Sequence, residues 1–148
     1  MRGLLAALLL VAILVPSPSA RAQASMPGDN QILLLIRTAL LTLNDALQTG
    51  NFTVLRDVAA PGFREVNTAS KLGQAFSYLH SQGVELSAVA VMTPKLDPKP
   101  VLNKKNNTLR IKGVFPGKPV GIGFDLIYQV VNGRWRLFGI SVNPVKSG

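Results

Sequence analysis

Residues 120–142 read VGIGFDLIYQVVNGRWRLFGISV, two runs rich in branched and aromatic residues on either side of Asn132-Gly133. Such residues suit a pleated surface, and Asn-Gly supplies the two positive-φ positions of a two-residue type I′ turn, so the stretch predicts a long β-hairpin. A turn of that type also sets the register: Val131 opposes Arg134, Val130 opposes Trp135, Tyr128 opposes Leu137 and Ile127 opposes Phe138. Alternation then divides the hairpin into two faces. Val120, Ile122, Phe124, Leu126, Tyr128, Val130, Trp135 and Leu137 form the face expected to meet the core. The opposite face carries Asp125, Gln129, Arg134 and Arg136, but also Ile127, Phe138, Ile140 and Val142. An apolar patch on a face that should be solvated is expected to be covered. Those four residues are the candidate interface, against another part of the chain or against a second copy in a homodimer.

Outward from the hairpin, Thr108 to Phe115 alternates as a further strand, with Leu109, Ile111 and Phe115 on one side and Arg110 and Lys112 on the other; Pro116-Gly117 turns it into the hairpin. The preceding stretch, TPKLDPKPVLNKKNN over residues 93–107, has prolines at 94, 98 and 100 and lysines at 95, 99, 104 and 105. Proline at these intervals excludes a central strand, and the sequence predicts a projecting, solvated loop that is also a candidate anion-binding lip. Leu86 to Met92 reads as a strand. Upstream, Asp29 or Asn30 opens a helix that runs to about Gln48 and closes at Gly50, with Leu33, Ile36, Leu40, Leu43 and Leu47 as an apolar stripe. Ile32, Leu34, Leu35 and Leu41 widen that stripe, so most of the first turns should be buried. A second helix follows from Asn51 to about Ala59, ended by Pro61-Gly62. Phe63 to Val66 reads as an extended link or edge strand. A third helix starts at Asn67 or Thr68 and ends at Gly83, with Leu72, Ala75, Phe76 and Leu79 on one face. The expected fold is α+β: three N-terminal helices packed on a curved antiparallel sheet of about four strands.

The chain opens with Arg2, an apolar run from Leu4 to Val15, and the small-residue site Ala22-Gln23-Ala24. The run is shorter than the roughly 18 to 20 residues that span a bilayer, which predicts a signal peptide over residues 1–24, cleaved after Ala24, and a periplasmic or secreted domain over residues 25–148. No later stretch reads as a transmembrane segment. With no Cys in 148 residues, disulfide and thiolate chemistry are excluded. Loss of Arg2 and Arg21 lowers the Lys and Arg count from 16 to 14 against 7 acids, a mature formal charge of +7. A basic surface of this kind favours anionic envelope components over nucleic acid in an exported protein.

The helix pair joined at Gly50-Asn51-Phe52, the Ala60-Pro61-Gly62-Phe63 exit and the terminal Asn132-Gly133-Arg134-Trp135-Arg136-Leu137 strand resemble the nuclear-transport-factor-2-like superfamily, a cone-shaped fold, and in particular its small exported bacterial members. The resemblance covers essentially the whole mature chain. It implies a cystatin-like roll with a pocket inside the cone, and a strand between the second and third helices for which this chain has little room. Catalytic branches of the superfamily place carboxylates, histidines or tyrosines in that interior, which makes an isomerase- or cyclase-like enzyme using Asp125 or Tyr128 the alternative to a binding module. The register puts Asp125 on the outer face, and His80, near a helix C-terminus, reads better as a capping group. No catalytic set, metal-ligand spacing or cofactor fingerprint is present: Gly121-Ile122-Gly123 lies within a strand and lacks the third glycine. Phe76, Phe124, Tyr128 and Trp135 are the candidate ligand-binding residues, lining either a small apolar site or a filled core.

Overall fold

In the computed structural model, which describes residues 24–146, the chain is α+β, with helices packed on one face of a five-stranded antiparallel sheet. The predicted signal segment lies outside the described residues, apart from Ala24. The long helix α1 spans Asp29–Thr49. Its start has no side-chain cap, with Gly28 at the N-cap, while Gly50 adopts the left-handed conformation (φ 70°) that ends it. Ile32, Ile36, Ala39, Leu40, Leu43 and Leu47 turn toward the sheet, and Ile36, Leu40 and Leu43 have no exposed surface. On length and composition α1 could cross a membrane, yet its apolar stripe is the centre of the core. Burial of the first turns is narrower than expected: Leu34 is 64% exposed.

Four short helices follow: α2 (Thr53–Asp57), α3 (Pro61–Val66), α4 (Ala69–Ala75) and α5 (Ser77–Ser81). Thr68 caps α4 as expected, accepting the Lys71 N–H at 3.1 Å; at α2 the N-cap is Phe52, without a side-chain cap bond, and Asn51 one residue earlier accepts the Thr53 N–H at 3.0 Å. Two expectations are corrected here. Pro61-Gly62 does not merely end the second helix. Pro61 occupies the first turn of α3, where its fixed φ is an advantage and its missing N–H costs nothing, so Phe63 to Val66 is helical and not an extended link. The third predicted helix is broken at Phe76 (φ −99°, ψ 9°) into α4 and α5, with Phe76 stacked on Phe52 at 6.2 Å.

Leu86 to Met92 is not a strand. Ser87–Ala90 forms a 3-10 turn in which Leu86 and Val89, three apart, are buried while Val91 is 85% exposed. Two side chains of α1 hold it there. Asn44, a buried polar residue, accepts the Leu86 N–H at 2.8 Å, and Arg37 donates to the carbonyls of Val89 and Met92. These tertiary bonds replace the ladder that a strand would need.

The sheet comprises β1 (Lys95–Leu96), β2 (Val101–Asn103), β3 (Thr108–Phe115), β4 (Val120–Val131) and β5 (Arg134–Lys146), with β1 and β2 both paired to the outer edge of β3 and β5 at the opposite edge. The proline-rich segment is therefore two short edge strands interrupted at Asp97 to Pro100, and not one projecting loop. Its prolines avoid the centre of the sheet, as their missing donors require. Gly113 is the position where the edge needs glycine: a Cβ would stand 2.4 Å from the Lys95 carbonyl oxygen.

The hairpin forms about Asn132 (φ 51°) and Gly133 (φ 74°), and its register holds from Val131↔Arg134 to Tyr128↔Leu137. Beyond that point a bulge intervenes. Ile127 pairs with Gly139, leaving Phe138 as the extra residue, and every later side chain of β5 changes face. Ile140 and Val142 thus lie opposite Leu126 and Phe124, on the core side; Val142 is 9% exposed and Ile140 packs against the core. Of the four predicted interface residues, only Ile127 and Phe138 remain outside, and the Phe138 ring edge lies beside Gly62 of α3, 3.0 Å from where a Cβ would stand.

Candidate functional site

The end of the sheet nearest the hairpin turn overhangs α1 and α2, and a groove of about 280 Å³ opens between them. Leu34, Leu35, Thr38, Ala39 and Thr42 of α1 form one wall. Leu55 and Val58 form a second, and Tyr128, Trp135 and Leu137 the floor, with Arg134 and Arg136 at the side. The groove exists because the helical repeat places Leu34, Thr38 and Thr42 on a flank of α1 next to its buried stripe, and two threonines fill less space than the leucines would. Leu34 and Val58 (45% exposed) give the mouth an apolar rim.

Tyr128 is nearly buried, and its hydroxyl donates to the Leu35 carbonyl oxygen at 2.7 Å. Burial pushes the phenol above its ordinary pKa, so the group is a neutral donor committed to the helix backbone. Trp135 is half-buried, and Arg136 reaches across the sheet edge to donate to the Val58 carbonyl at 3.2 Å. Among the described residues no carboxylate lines the groove. Its chemistry is apolar surface, the hydroxyls of Thr38 and Thr42 beside the committed one of Tyr128, and two guanidinium groups, a set suited to holding a molecule and lacking a general base.

The predicted ligand-binding residues divide in two. Tyr128 and Trp135 line the groove; Phe76 and Phe124 do not. Phe76 is held in the stack with Phe52, and Phe124 packs against Phe115 at 5.5 Å, 2% exposed, so the interior between helices and sheet is filled at both. Leu34, Thr38, Leu55, Val58, Arg134 and Arg136 were not foreseen. One signal was present in the sequence: the run Leu33-Leu34-Leu35 is wider than a single stripe can bury.

Asp125 lies on the outer face, as the register predicted, and accepts from Arg110 Nε at 2.9 Å and Nη2 at 2.5 Å. This two-point bond with Arg110 holds its carboxyl below the usual carboxylate range, against a smaller opposing effect of burial. His80 Nδ1 lies 2.9 Å from the Leu47 carbonyl oxygen in the last turn of α1, so its partner is the end of the long helix and not the end of the helix that carries it. Asp125, Tyr128 and His80 thus bond to three different partners in three places. No group of acidic or histidine side chains that could hold a metal occurs among the described residues. No protein family, curated protein or solved structure matches the chain.

Proposed function

We propose that this chain is an exported, non-catalytic binding module with the cone-shaped roll of the nuclear-transport-factor-2-like superfamily, and that it holds a small apolar ligand, or an apolar segment of an envelope partner, in the groove beside Tyr128 and Trp135. One observation carries the reading: a groove floored by aromatic side chains keeps Leu34 and Val58 in water at its mouth. Exposed large apolar residues around a concavity have their cost offset when a ligand covers them. The order of helices before a terminal antiparallel hairpin supports the cone, and the targeting segment with its Ala22-Gln23-Ala24 site supports export.

The isomerase- or cyclase-like reading has less to stand on. Asp125 is neutralised by Arg110, and the Tyr128 hydroxyl is spent on a helix carbonyl. A homodimer through the outer face keeps two of its four contact residues.

Trp135, the only tryptophan in the chain, makes the binding reading measurable. A neutral naphthylamine dye should show saturable energy transfer from Trp135, with one dye per chain. Thr38→Phe, which fills the groove from α1, should abolish the transfer while leaving the far-ultraviolet spectrum unchanged. Non-saturable transfer, or transfer indifferent to Thr38→Phe, would sink the proposal.

A further inference from the structure

Charge divides sharply along this chain. Residues 24–92, which form the helical layer, carry four Lys and Arg against five acids, a net −1; residues 93–146, which form the sheet, carry ten against two, a net +8. Pairing places Lys95, Arg110 and Lys112 on the outer face of the sheet, with Asp125 as the acid among them, while the side chains of Arg134 and Arg136 line the rim groove beside Trp135.

That face is not flat. The break between β1 and β2 folds against it and encloses a groove of about 460 Å³, larger than the one beside Trp135. Lys99, Arg110 and Lys112 supply cations to it, Asn103 and Thr108 neutral polar groups, and Ile127 an apolar floor. The pair with Asp125 occupies two of the five donors of Arg110 and leaves the rest, on a side chain 59% exposed, for another acceptor.

We infer that this groove binds a linear acidic polysaccharide, a polyuronate-type chain. Cations at intervals meet the repeated carboxylates, Asn103 and Thr108 meet ring hydroxyls, and the aliphatic floor meets a sugar ring. Two other polyanions fit less well. Single-stranded nucleic acid needs aromatic platforms for its bases, and the groove has none. An anionic bilayer is met by a protruding apolar surface, and this site is a concavity. A second copy of the chain would bring two strongly positive faces together.

The test is fluorescence anisotropy of end-labelled oligogalacturonate with the mature chain at low and physiological salt, beside single-stranded DNA and phosphatidylglycerol vesicles. Lys99→Gln, Arg110→Gln and Lys112→Gln should each weaken oligogalacturonate binding by roughly two- to fivefold, as exposed charge contacts do. Each should also flatten the dependence of log affinity on log salt by about one contact. Lys71→Gln, on the helical side, should change neither. Three results would overturn the inference: equal weakening by Lys71→Gln, tighter binding of DNA or vesicles through the same three residues, or no binding of oligogalacturonate at low salt. All four positions are surface sites, and Lys99 and Lys112 make no side-chain bond that folding could lose among those found in the described residues. Thermal unfolding of Lys99→Gln and Lys112→Gln should therefore stay close to that of the parent chain, whereas Arg110→Gln also loses the pair with Asp125, so its binding is compared at a temperature where it is folded.

Discussion

At the scale of single residues, the bond from Tyr128 to the Leu35 carbonyl does two things. It fixes the floor of the groove to its wall, and it satisfies a phenol that has little contact with water. Tyr128→Phe removes one buried hydrogen bond and should cost about 1 kcal/mol by urea denaturation. The raised phenol pKa adds a pH dependence of known sign. The folded state resists ionisation that the unfolded chain undergoes near pH 10, so the contribution is intact below about pH 10 and is lost as pH rises above it. Stability should therefore fall less steeply with pH above about pH 10 in Tyr128→Phe than in the parent chain, measured by urea denaturation at each pH. Asp125 behaves in the opposite sense: its lowered carboxyl pKa contributes stability above the unfolded value of about 3.9, and that contribution disappears as pH falls through the folded value. Parent and Asp125→Asn should differ in denaturant midpoint near neutral pH, and the difference should shrink as the pH is lowered past the ordinary carboxylate range.

Among the elements, the bulge at Phe138 has the largest consequence. One extra residue re-aims the last turns of β5, so that Ile140 and Val142 close the core under β4 while Phe138 is left outside to meet Gly62. The edge of β5 is also engaged there: the Ala60 N–H donates to the Leu137 carbonyl at 2.8 Å and ties the start of α3 to the sheet. A substitution pair reads this register directly. Val142→Asp buries a carboxylate without a partner and should cost more than about 3 kcal/mol, whereas Phe138→Asp on the outer side should cost about 1 kcal/mol or less, both by urea denaturation. The reverse order would mean the uninterrupted register. The 3-10 turn after α5 depends in the same way on one side chain. Asn44→Ala leaves the Leu86 N–H without its acceptor and should lower stability by about 1 to 3 kcal/mol in the same assay.

For the whole molecule, one hydrophobic core joins α1, the short helices and the inner face of the sheet, and the two grooves lie outside it, one at the rim between α1 and the hairpin and one on the outer face. The core is filled where a cone-shaped roll would hold its pocket, at Leu40, Phe76 and Phe124. Leu40→Ala, at a residue with no exposed surface on the central helix, should cost about 2 to 5 kcal/mol by denaturation. It should leave salt-dependent polyanion binding unchanged at temperatures where the variant is folded, because charge and core belong to different faces.

Much of this was legible from local chemistry alone. Asn132-Gly133 dictated the hairpin and the pairing nearest to it, the spacing of Ile36, Leu40 and Leu43 dictated the central helix, Gly50 its end, and the prolines kept residues 93–107 away from the sheet centre. Each of these rests on a backbone preference or a periodicity carried by neighbouring residues. What only the tertiary structure decided had no such local carrier. The bulge depends on how β5 meets α3, the 3-10 turn on Asn44 and Arg37 reaching it from α1, and the two short edge strands on a free edge of β3. The site followed the same division. Tyr128 and Trp135 were visible as large residues on an inward face, but alternation cannot distinguish a core position from a groove floor. That distinction is set by what faces the position from α1, and for Tyr128 and Trp135 it is the flank of Leu34, Leu35, Thr38 and Thr42 rather than the buried stripe.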